Sequence, residues 1–146
     1  MLYSNYLNKM KKNILIIGAS SGIGHEIFTD LSPHNRTFTI GRSALSGAAD
    51  HFVCDVKQDP LPDIHEPLHG LVYCPGSINL KPFRSLSDED FVSDFNINVL
   101  GAVRVIRHYL KGLQAAGSSS VVLFSTVAVG RGMAFHTSIA AAKGAV

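Results

Sequence analysis

The chain lacks the features that usually mark a nucleic acid-binding, membrane or secreted protein. Its 146 residues carry 13 Lys and Arg against 11 Asp and Glu, and no basic cluster is interleaved with aromatic residues, which argues against a nucleic acid partner. No apolar run approaches the roughly 18 residues needed to cross a bilayer. Residues 1–9 lack the continuous apolar core of a signal peptide. We therefore expect a cytoplasmic protein without a membrane partner.

Cysteine is scarce and histidine is dispersed. We expect Cys54 and Cys74 to be buried strand residues in a reducing compartment, with a disulfide between them as the alternative. The 7 histidines show no metal-ligand spacing, so no metal site is predicted.

Charged residues make up only 16% of the chain, whereas apolar residues make up 46%. This balance favours strands that are covered on both faces, as in the parallel sheets of α/β proteins. No linker, repeat or low-complexity segment divides the sequence. We expect one domain over residues 11–146, preceded by a flexible extension over residues 1–10.

The most informative stretch is residues 14–24, which read Ile-Leu-Ile-Ile-Gly-Ala-Ser-Ser-Gly-Ile-Gly. An apolar run ends in glycines with the spacing G-x-x-x-G-x-G, and an amphipathic segment follows. This order predicts a buried strand, a glycine turn and a helix whose first N–H groups bind a diphosphate. Ser20 and Ser21 add hydroxyl donors. The alternative is a tight turn that binds no ligand.

Strand and helix signals alternate along the rest of the chain. The predicted strands are Asn13–Ile17, Thr37–Gly41, His51–Cys54, Gly70–Cys74 and Ser120–Ser125. The predicted helices are Gly22–Leu31, one that opens at Ser87, one from about Asn98 to Ala115, and Ser138–Val146. Such alternation predicts a doubly wound, Rossmann-like parallel sheet of order 3-2-1-4-5, with the ligand crevice at the carboxyl ends of its strands.

Apolar residues recur at helical spacing in the helix predicted from Asn98 to Ala115. We expect most of this stripe to be core and part of it to face a partner subunit. The stripe consists of Val99, Val103, Ile106, Leu110 and Leu113.

These motifs resemble those of the short-chain dehydrogenase/reductase family, from Lys11 to Val146. The glycine motif matches the family's, except that Ile17 stands where the family has threonine. The other matches are Asp55-Val56 for the residues at the adenine ring, Asn98-Val99-Leu100-Gly101 for Asn-x-x-Gly, Ser125-Thr126 for the region of the catalytic serine, and Lys143 for the catalytic lysine.

The chain departs from the family at two places. The family's Asn-Asn-Ala-Gly reads Tyr73-Cys74-Pro75-Gly76, which keeps only the glycine. The family's Tyr-x-x-x-Lys has Ile139 at the tyrosine position, and isoleucine carries no exchangeable proton. In the family mechanism that tyrosine passes a proton to or from the substrate oxygen while hydride moves to or from the nicotinamide.

The resemblance implies roles for four residues near the missing tyrosine. Thr126 is expected to polarise a substrate carbonyl, and Lys143 to hold the nicotinamide ribose, with a solvated surface lysine as the alternative. Asn98 is expected to act through an ordered water or to fix a kink between two helices. His136 is the candidate proton donor if the last helix includes it, with a solvated or capping histidine as the alternative.

The predicted second strand is followed by Arg42-Ser43 and by no acidic residue. An arginine at this position suits the 2′-phosphate of NADP, whereas a carboxylate suits the 2′-hydroxyl of NAD. We therefore expect NADP(H), with an exposed loop charge as the alternative reading of Arg42. The residues expected to bind this cofactor are Gly18, Ser20, Ser21, Gly22, Ile23, Gly24, Arg42, Ser43, Asp55, Val56, Gly76 and Lys143.

The resemblance implies an NADP(H)-dependent oxidoreductase that moves hydride between the nicotinamide and a small carbonyl or alcohol substrate. The alternatives are a non-catalytic NADP(H)-binding or redox-sensing protein of the same fold, and an inactive product. Family members usually continue beyond the lysine helix with further strands and a substrate-covering loop. We therefore expect a fragment or truncated product with an incomplete substrate site, and a dimer or tetramer in the full-length form.

Overall fold

The computed structural model describes residues 11–146, and the extension predicted over residues 1–10 lies outside this part of the chain. Five parallel strands form one sheet in the order β3-β2-β1-β4-β5. The strands are β1 (Asn13–Ile17), β2 (Arg36–Gly41), β3 (Asp50–Val53), β4 (Gly70–Tyr73) and β5 (Ser120–Leu123). The predicted Rossmann-like sheet and its strand order are confirmed.

Helices cover both faces of this sheet. The α-helices are α1 (Gly22–Leu31), α2 (Asp88–Phe95), α3 (Gly101–Ala115) and α4 (Thr137–Gly144). The shorter helical segments are 3₁₀ turns at Phe83–Ser85 and Val127–Val129 and a π-helical turn at Asn96–Leu100. None of the helices within residues 11–146 has the length and the apolar run required to cross a membrane.

The central strand β1 shows why an uninterrupted apolar run folds here. Its neighbours β2 and β4 flank it, and successive side chains point to opposite faces. Leu15 and Ile17 enter the larger core cluster, which includes Val105 of α3, whereas Ile16 enters a second cluster with Phe28 of α1. Both faces of β1 are therefore buried, as expected for a parallel sheet between helix layers.

The buried stripe of α3 agrees only in part with the one that the sequence predicted. Val103 and Leu110 are 42% and 44% exposed, while Val105 and Tyr109 are buried. The π-helical turn explains part of the error, because α3 starts only at Gly101 and the preceding backbone does not follow a regular α-helical period. Of the predicted stripe, Leu113 is buried and Ile106 is partly buried against the core.

The two cysteines are free. Cys54 follows β3 and Cys74 follows β4, and β2 and β1 lie between these strands. Three strand spacings of about 4.8 Å separate them by roughly 14 Å, whereas a disulfide requires Cα atoms within about 7 Å. The disulfide alternative is therefore wrong.

Candidate functional site

A cleft of about 700 Å³ opens at the carboxyl ends of the strands. In a parallel sheet these ends all lie along one edge, so the loops that follow β1 to β4 converge there. The predicted cofactor residues that line the cleft are Gly18, Ser20, Ser21, Gly22, Ile23, Gly24, Arg42, Ser43, Asp55, Val56 and Gly76. Residues far apart in sequence thus meet in one site.

Glycine is needed at several positions between β1 and α1, and the structural reason differs from one position to the next. Gly18 and Gly22 adopt φ values of +82° and +54°, a region that side chains rarely occupy. At Gly22 a Cβ atom would meet nothing within 4 Å, so the turn leaves open space on the cleft side. At Gly24 a Cβ atom would overlap the carbonyl oxygen of Gly18, so glycine is required for α1 to pack against the turn.

The N-terminus of α1 is left available for an anion. Its N-cap residue, Ser21, makes no side-chain capping hydrogen bond, and the first turn contains no acidic residue. By contrast, Ser87 at the start of α2 accepts a hydrogen bond from the Asp90 N–H, and the Asp90 carboxylate accepts one from the Ser87 N–H. The first N–H groups of α1 therefore lack a capping side chain of the kind that α2 has. Free N–H groups at a helix start are the donors that bind a diphosphate.

The loops after β2 and β3 form one end of the cleft. Arg42 and Ser43 are exposed there, and Arg42 forms no salt bridge within residues 11–146. Asp55 turns its loop back, since its carboxylate accepts a hydrogen bond from the Lys57 N–H at 3.0 Å. Lys57 also lines the cleft, although the sequence did not single it out.

At the other end of the cleft, Gly76 is the lining residue, and two further positions that the resemblance singled out, Asn98 and Lys143, lie directly behind it. A Cβ atom on Gly76 would lie 3.0 Å from Asn98 Oδ1 and 3.8 Å from Lys143 Nζ, so both groups flank this glycine. Asn98 is 1% exposed, and its Oδ1 atom has no hydrogen-bond partner among the described residues. A buried acceptor of this kind usually has a hydrogen-bond partner, and Asn98 Oδ1 has none within residues 11–146.

Lys143 of α4 is not among the residues that line the cleft, although its side chain lies beside Gly76, which is. Its Nζ atom donates to the carbonyl oxygen of Phe124 at 2.7 Å, and burial lowers the pKa of the ammonium group. Cys74 lies near enough for that ammonium to act on its thiol, but burial dominates and raises the pKa of Cys74 from 9.0 to about 11. The thiol therefore stays protonated at neutral pH.

Thr126 and Ser125 follow β5 and have different partners. Thr126 Oγ1 accepts a hydrogen bond from the Ala128 N–H at 3.3 Å and caps the following 3₁₀ turn. Ser125 Oγ donates to the carbonyl oxygen of Lys143 at 2.9 Å and so ties β5 to α4. Neither residue is among those that line the cleft.

His136 is placed differently from the helical arrangement that the sequence argument required. Helix α4 begins at Thr137, and the His136 backbone, with φ −103° and ψ 15°, precedes the helix as its N-cap residue. Its Nδ1 atom lies 2.7 Å from the carbonyl oxygen of Ala134 and therefore carries the hydrogen. The helical-face argument for His136 beside Lys143 does not hold, and Ile139 at the tyrosine position is buried.

Tyr73 replaces the first asparagine of the family motif and has a clear structural function. In the π-helical turn the Gly101 N–H donates to the Asn96 carbonyl oxygen, so it does not serve Ile97 as in an α-helix. The buried Tyr73 hydroxyl donates to the Ile97 carbonyl oxygen at 2.6 Å instead. A Cβ atom on Gly101 would overlap that hydroxyl oxygen, which explains the glycine of Asn-x-x-Gly in this chain.

The sequence profile described as short chain dehydrogenase matches residues 46–146, more than half of the chain. The chain belongs to the short-chain dehydrogenase family. Members of this family use a nicotinamide cofactor, NAD or NADP, act on small molecules and often form oligomers. No curated protein matches the chain.

Solved structures of this family share the fold. The aldohexose dehydrogenase of Thermoplasma acidophilum superposes with a TM-score of 0.80 at 18% identity. Short chain dehydrogenases from Salmonella enterica serovar Typhi and Shigella flexneri give TM-scores of 0.80 and 0.79 at 19% and 20% identity. Each comparison covers 92% of this chain, which spans 57%, 66% and 62% of the three structures in that order.

Proposed function

We propose that this chain binds NADP(H) and belongs to an oxidoreductase that moves hydride between the nicotinamide and a carbonyl or alcohol group. Family membership supports oxidoreductase chemistry, and the cleft supports the cofactor. The single observation that carries the proposal is the convergence of the glycine turn, the uncapped start of α1 and the Gly76 end in one cleft. These groups suit a dinucleotide that extends from adenine to nicotinamide.

The residues that line the cleft and several residues outside its lining have separate roles in this proposal. The glycine turn with Ser20, Ser21 and Ile23 holds the diphosphate, and Asp55 and Val56 border the adenine. Gly76 and Lys143 hold the nicotinamide ribose. Thr126 orients the substrate carbonyl with Asn98 supporting it, and His136 is a candidate proton donor. When bound, the reduced nicotinamide supplies the hydride.

Arg42 determines the choice between NADP and NAD in this proposal. A guanidinium can bind a phosphate through two parallel hydrogen bonds, and Ser43 adds a hydroxyl beside it. The exposed side chain of Arg42 lies in the cleft without a carboxylate partner within the described residues, which leaves it available for the 2′-phosphate.

Calorimetric titration with NADPH and with NADH tests the cofactor proposal. We expect tight binding of NADPH and much weaker binding of NADH. Arg42→Gln should weaken NADPH binding roughly 10- to 100-fold, because hydrogen bonds to charged groups contribute about 1.5–3 kcal/mol, and should leave NADH unchanged. Arg84→Gln, an exposed arginine outside the cleft, is the matched control. A folded protein that binds neither nucleotide would refute the proposal.

A non-catalytic NADP(H)-binding protein is the second candidate function. The buried Ile139 at the tyrosine position favours it, because an alkyl side chain cannot exchange a proton. Oxidation of NADPH in the presence of simple ketones and aldehydes separates the two functions. Turnover that is lost in Thr126→Val supports the enzyme, whereas tight binding without turnover supports the binding protein.

We also propose that the whole protein forms a homo-oligomer through α2, the π-helical turn and α3. Large apolar side chains are exposed along this surface, and a second copy with the same surface would cover them. They are Val92, Phe95, Leu100, Val103 and Leu110. Sedimentation of the protein and of Leu110→Glu tests this, with a monomeric wild type as the contradicting result.

A further inference from the structure

A buried carboxylate lies beside the cleft and has no place in the roles assigned above. Asp94 of α2 is 0% exposed, and no Lys, Arg or His within residues 11–146 forms a salt bridge with it. Its Oδ1 atom accepts hydrogen bonds from Ser77 Oγ at 2.6 Å and from Asn79 Nδ2 at 3.0 Å. Its Oδ2 atom has no partner among the described residues. Burying a carboxylate costs free energy, so the presence of Asp94 at this buried position requires an explanation.

Ser77 connects this carboxylate to the cleft. Ser77 lines the cleft directly after Gly76. Asn98 Nδ2 donates to Ser77 Oγ at 3.3 Å and to the backbone carbonyl of Asp94 at 2.8 Å. The Ser77 hydroxyl hydrogen is therefore directed at Asp94, one lone pair faces Asn98, and a hydroxyl oxygen has a second lone pair for a ligand.

We propose that Ser77, backed by Asp94, moves the proton that Ile139 cannot move. This inference rests on the proposed oxidoreductase function and names its acid–base groups. Ser77 is the catalytic residue that contacts the substrate oxygen. Asp94 acts through Ser77 as the proton acceptor or donor behind it, and Asn98 holds the serine between them.

The proton balance is complete in both directions. In alcohol oxidation the substrate O–H bond breaks, its proton passes to Ser77 Oγ, and the serine hydrogen passes to Asp94 Oδ1. The electron pair of the O–H bond forms the carbonyl π bond as the hydride leaves the carbon for the oxidised cofactor. In reduction Asp94 starts protonated, the carbonyl oxygen takes a proton from Ser77, and Ser77 takes one from Asp94 Oδ1. Asp94 is buried and Ser77 lines the cleft, so water in the cleft returns a proton to Asp94 through Ser77 after reduction, and after oxidation the Asp94 proton leaves by the same route.

The geometry favours this relay over His136. Ser77 lines the same cleft as the cofactor residues, whereas His136 does not belong to the cleft lining and uses Nδ1 to bind a backbone carbonyl. The 2.6 Å between Ser77 Oγ and Asp94 Oδ1 also allows a proton to pass directly between the two groups.

Four variants test the relay: Ser77→Ala, Ser77→Thr, Asp94→Asn and His136→Gln. The readouts are NADPH affinity and the kcat and KM for reduction of cyclohexanone, benzaldehyde and ethyl acetoacetate. Removing a general acid–base group should lower kcat about 100- to 10,000-fold in Ser77→Ala and Asp94→Asn. NADPH affinity should stay within about twofold, and Ser77→Thr, which keeps the hydroxyl, should recover most of the kcat.

The carboxyl ¹³C resonance of Asp94 gives a readout that needs no turnover. It is assigned in the wild type by triple-resonance spectra that connect each aspartate carboxyl carbon to its own backbone amide, and Ser77→Ala should shift it because the hydrogen bond to Oδ1 is lost. Ser119→Ala, an exposed serine in a loop, should not shift it. An unchanged Asp94 resonance in Ser77→Ala would overturn the relay even if Asp94→Asn fails to fold.

The outcomes separate this inference from the proposed function. Turnover in the wild type with full rates in Ser77→Ala, or a loss confined to His136→Gln, overturns the relay and leaves the oxidoreductase intact. NADPH binding without reduction of any of the three carbonyls overturns both. Loss of kcat in Ser77→Ala, its recovery in Ser77→Thr and the resonance shift together support the relay.

Discussion

The two ends of the cleft agree with the family pattern to different degrees. At the diphosphate end, the glycine turn after β1 and the start of α1 keep the family's spacing, and the binding groups are mostly backbone N–H groups. At the nicotinamide end, the side chains that the family uses have changed to Tyr73, Cys74 and Ile139. Backbone geometry tolerates little change because glycine has no substitute there. Side-chain chemistry can be rebuilt from new residues.

The largest effect is expected from a substitution that disrupts the diphosphate end of the cleft. Gly24→Ala places a Cβ atom against the Gly18 carbonyl oxygen, and because neither backbone segment can move easily, we expect a loss of about 3 kcal/mol in the free energy of unfolding. NADPH binding should be abolished. Urea unfolding and calorimetry measure both quantities.

Gly47→Ala is the matched control for this change. Gly47 has a φ of +80° in a loop outside the cleft, and a Cβ atom there would meet nothing within 4 Å. The strained backbone alone should cost about 1 kcal/mol and leave NADPH binding intact. Equal effects of the two substitutions would contradict a steric reason for Gly24.

The second prediction concerns the nicotinamide end. A glycine-to-alanine change inside a helix usually stabilises by about 0.5–1 kcal/mol, but Gly101→Ala should destabilise by about 2 kcal/mol because the new Cβ overlaps the Tyr73 hydroxyl. In a Tyr73→Phe background the overlap is gone and the cost of Gly101→Ala should fall. A double-mutant cycle by urea unfolding gives the coupling, and additive effects would refute it.

The pKa of Cys74 tests the nicotinamide end of the cleft, with a smaller expected effect. Since burial raises its pKa to about 11, the thiol contributes stability that is fully present below pH 9.0 and is lost as the pH rises through about 11. In Cys54→Ser, thiolate absorbance should therefore titrate near pH 11. The double variant Cys54→Ser/Cys74→Ser, which has no thiol, provides the baseline, and a midpoint near 9 would show that the thiol is solvated.

The smallest predicted effect compares the two helix starts. Ser87→Ala removes the capping box of α2 and should cost about 1 kcal/mol. Ser21→Ala removes no capping hydrogen bond from α1 and should change the unfolding free energy by much less. Thermal unfolding of both variants measures this difference. A comparable loss in Ser21→Ala would mean that α1 is capped in the same way as α2.

The sequence predicted the sheet well because its signals are local. β1 and α1 have the predicted bounds, since an apolar run and glycine punctuation fix both ends. β5 ends at Leu123 rather than Ser125, because Ser125 leaves the ladder to bind the Lys143 carbonyl. The position at which β5 ends therefore depends on a residue far along the chain, which a local sequence signal does not contain.

The candidate site likewise contains residues that local sequence signals predicted and residues that they did not. The glycine turn was readable from its spacing alone, and its predicted residues line one cleft. Asp94 and Ser77 were missed because their importance comes from burial and from each other, and α2 reads as a solvated helix with acidic residues in its first turn. The spacing of Asp94 and Asn98 by one helical turn was the available signal.

Tyr73 and Gly101 also constrain how this sequence can evolve. The tyrosine hydroxyl occupies the volume that any side chain at position 101 would need. If both residues are replaced during evolution, Tyr73 must first become a shorter residue, and only then can position 101 accept a side chain. In the reverse order, the first substitution would place a side chain in the volume of the Tyr73 hydroxyl group. One hydroxyl group thereby fixes the order in which two mutations can be accepted.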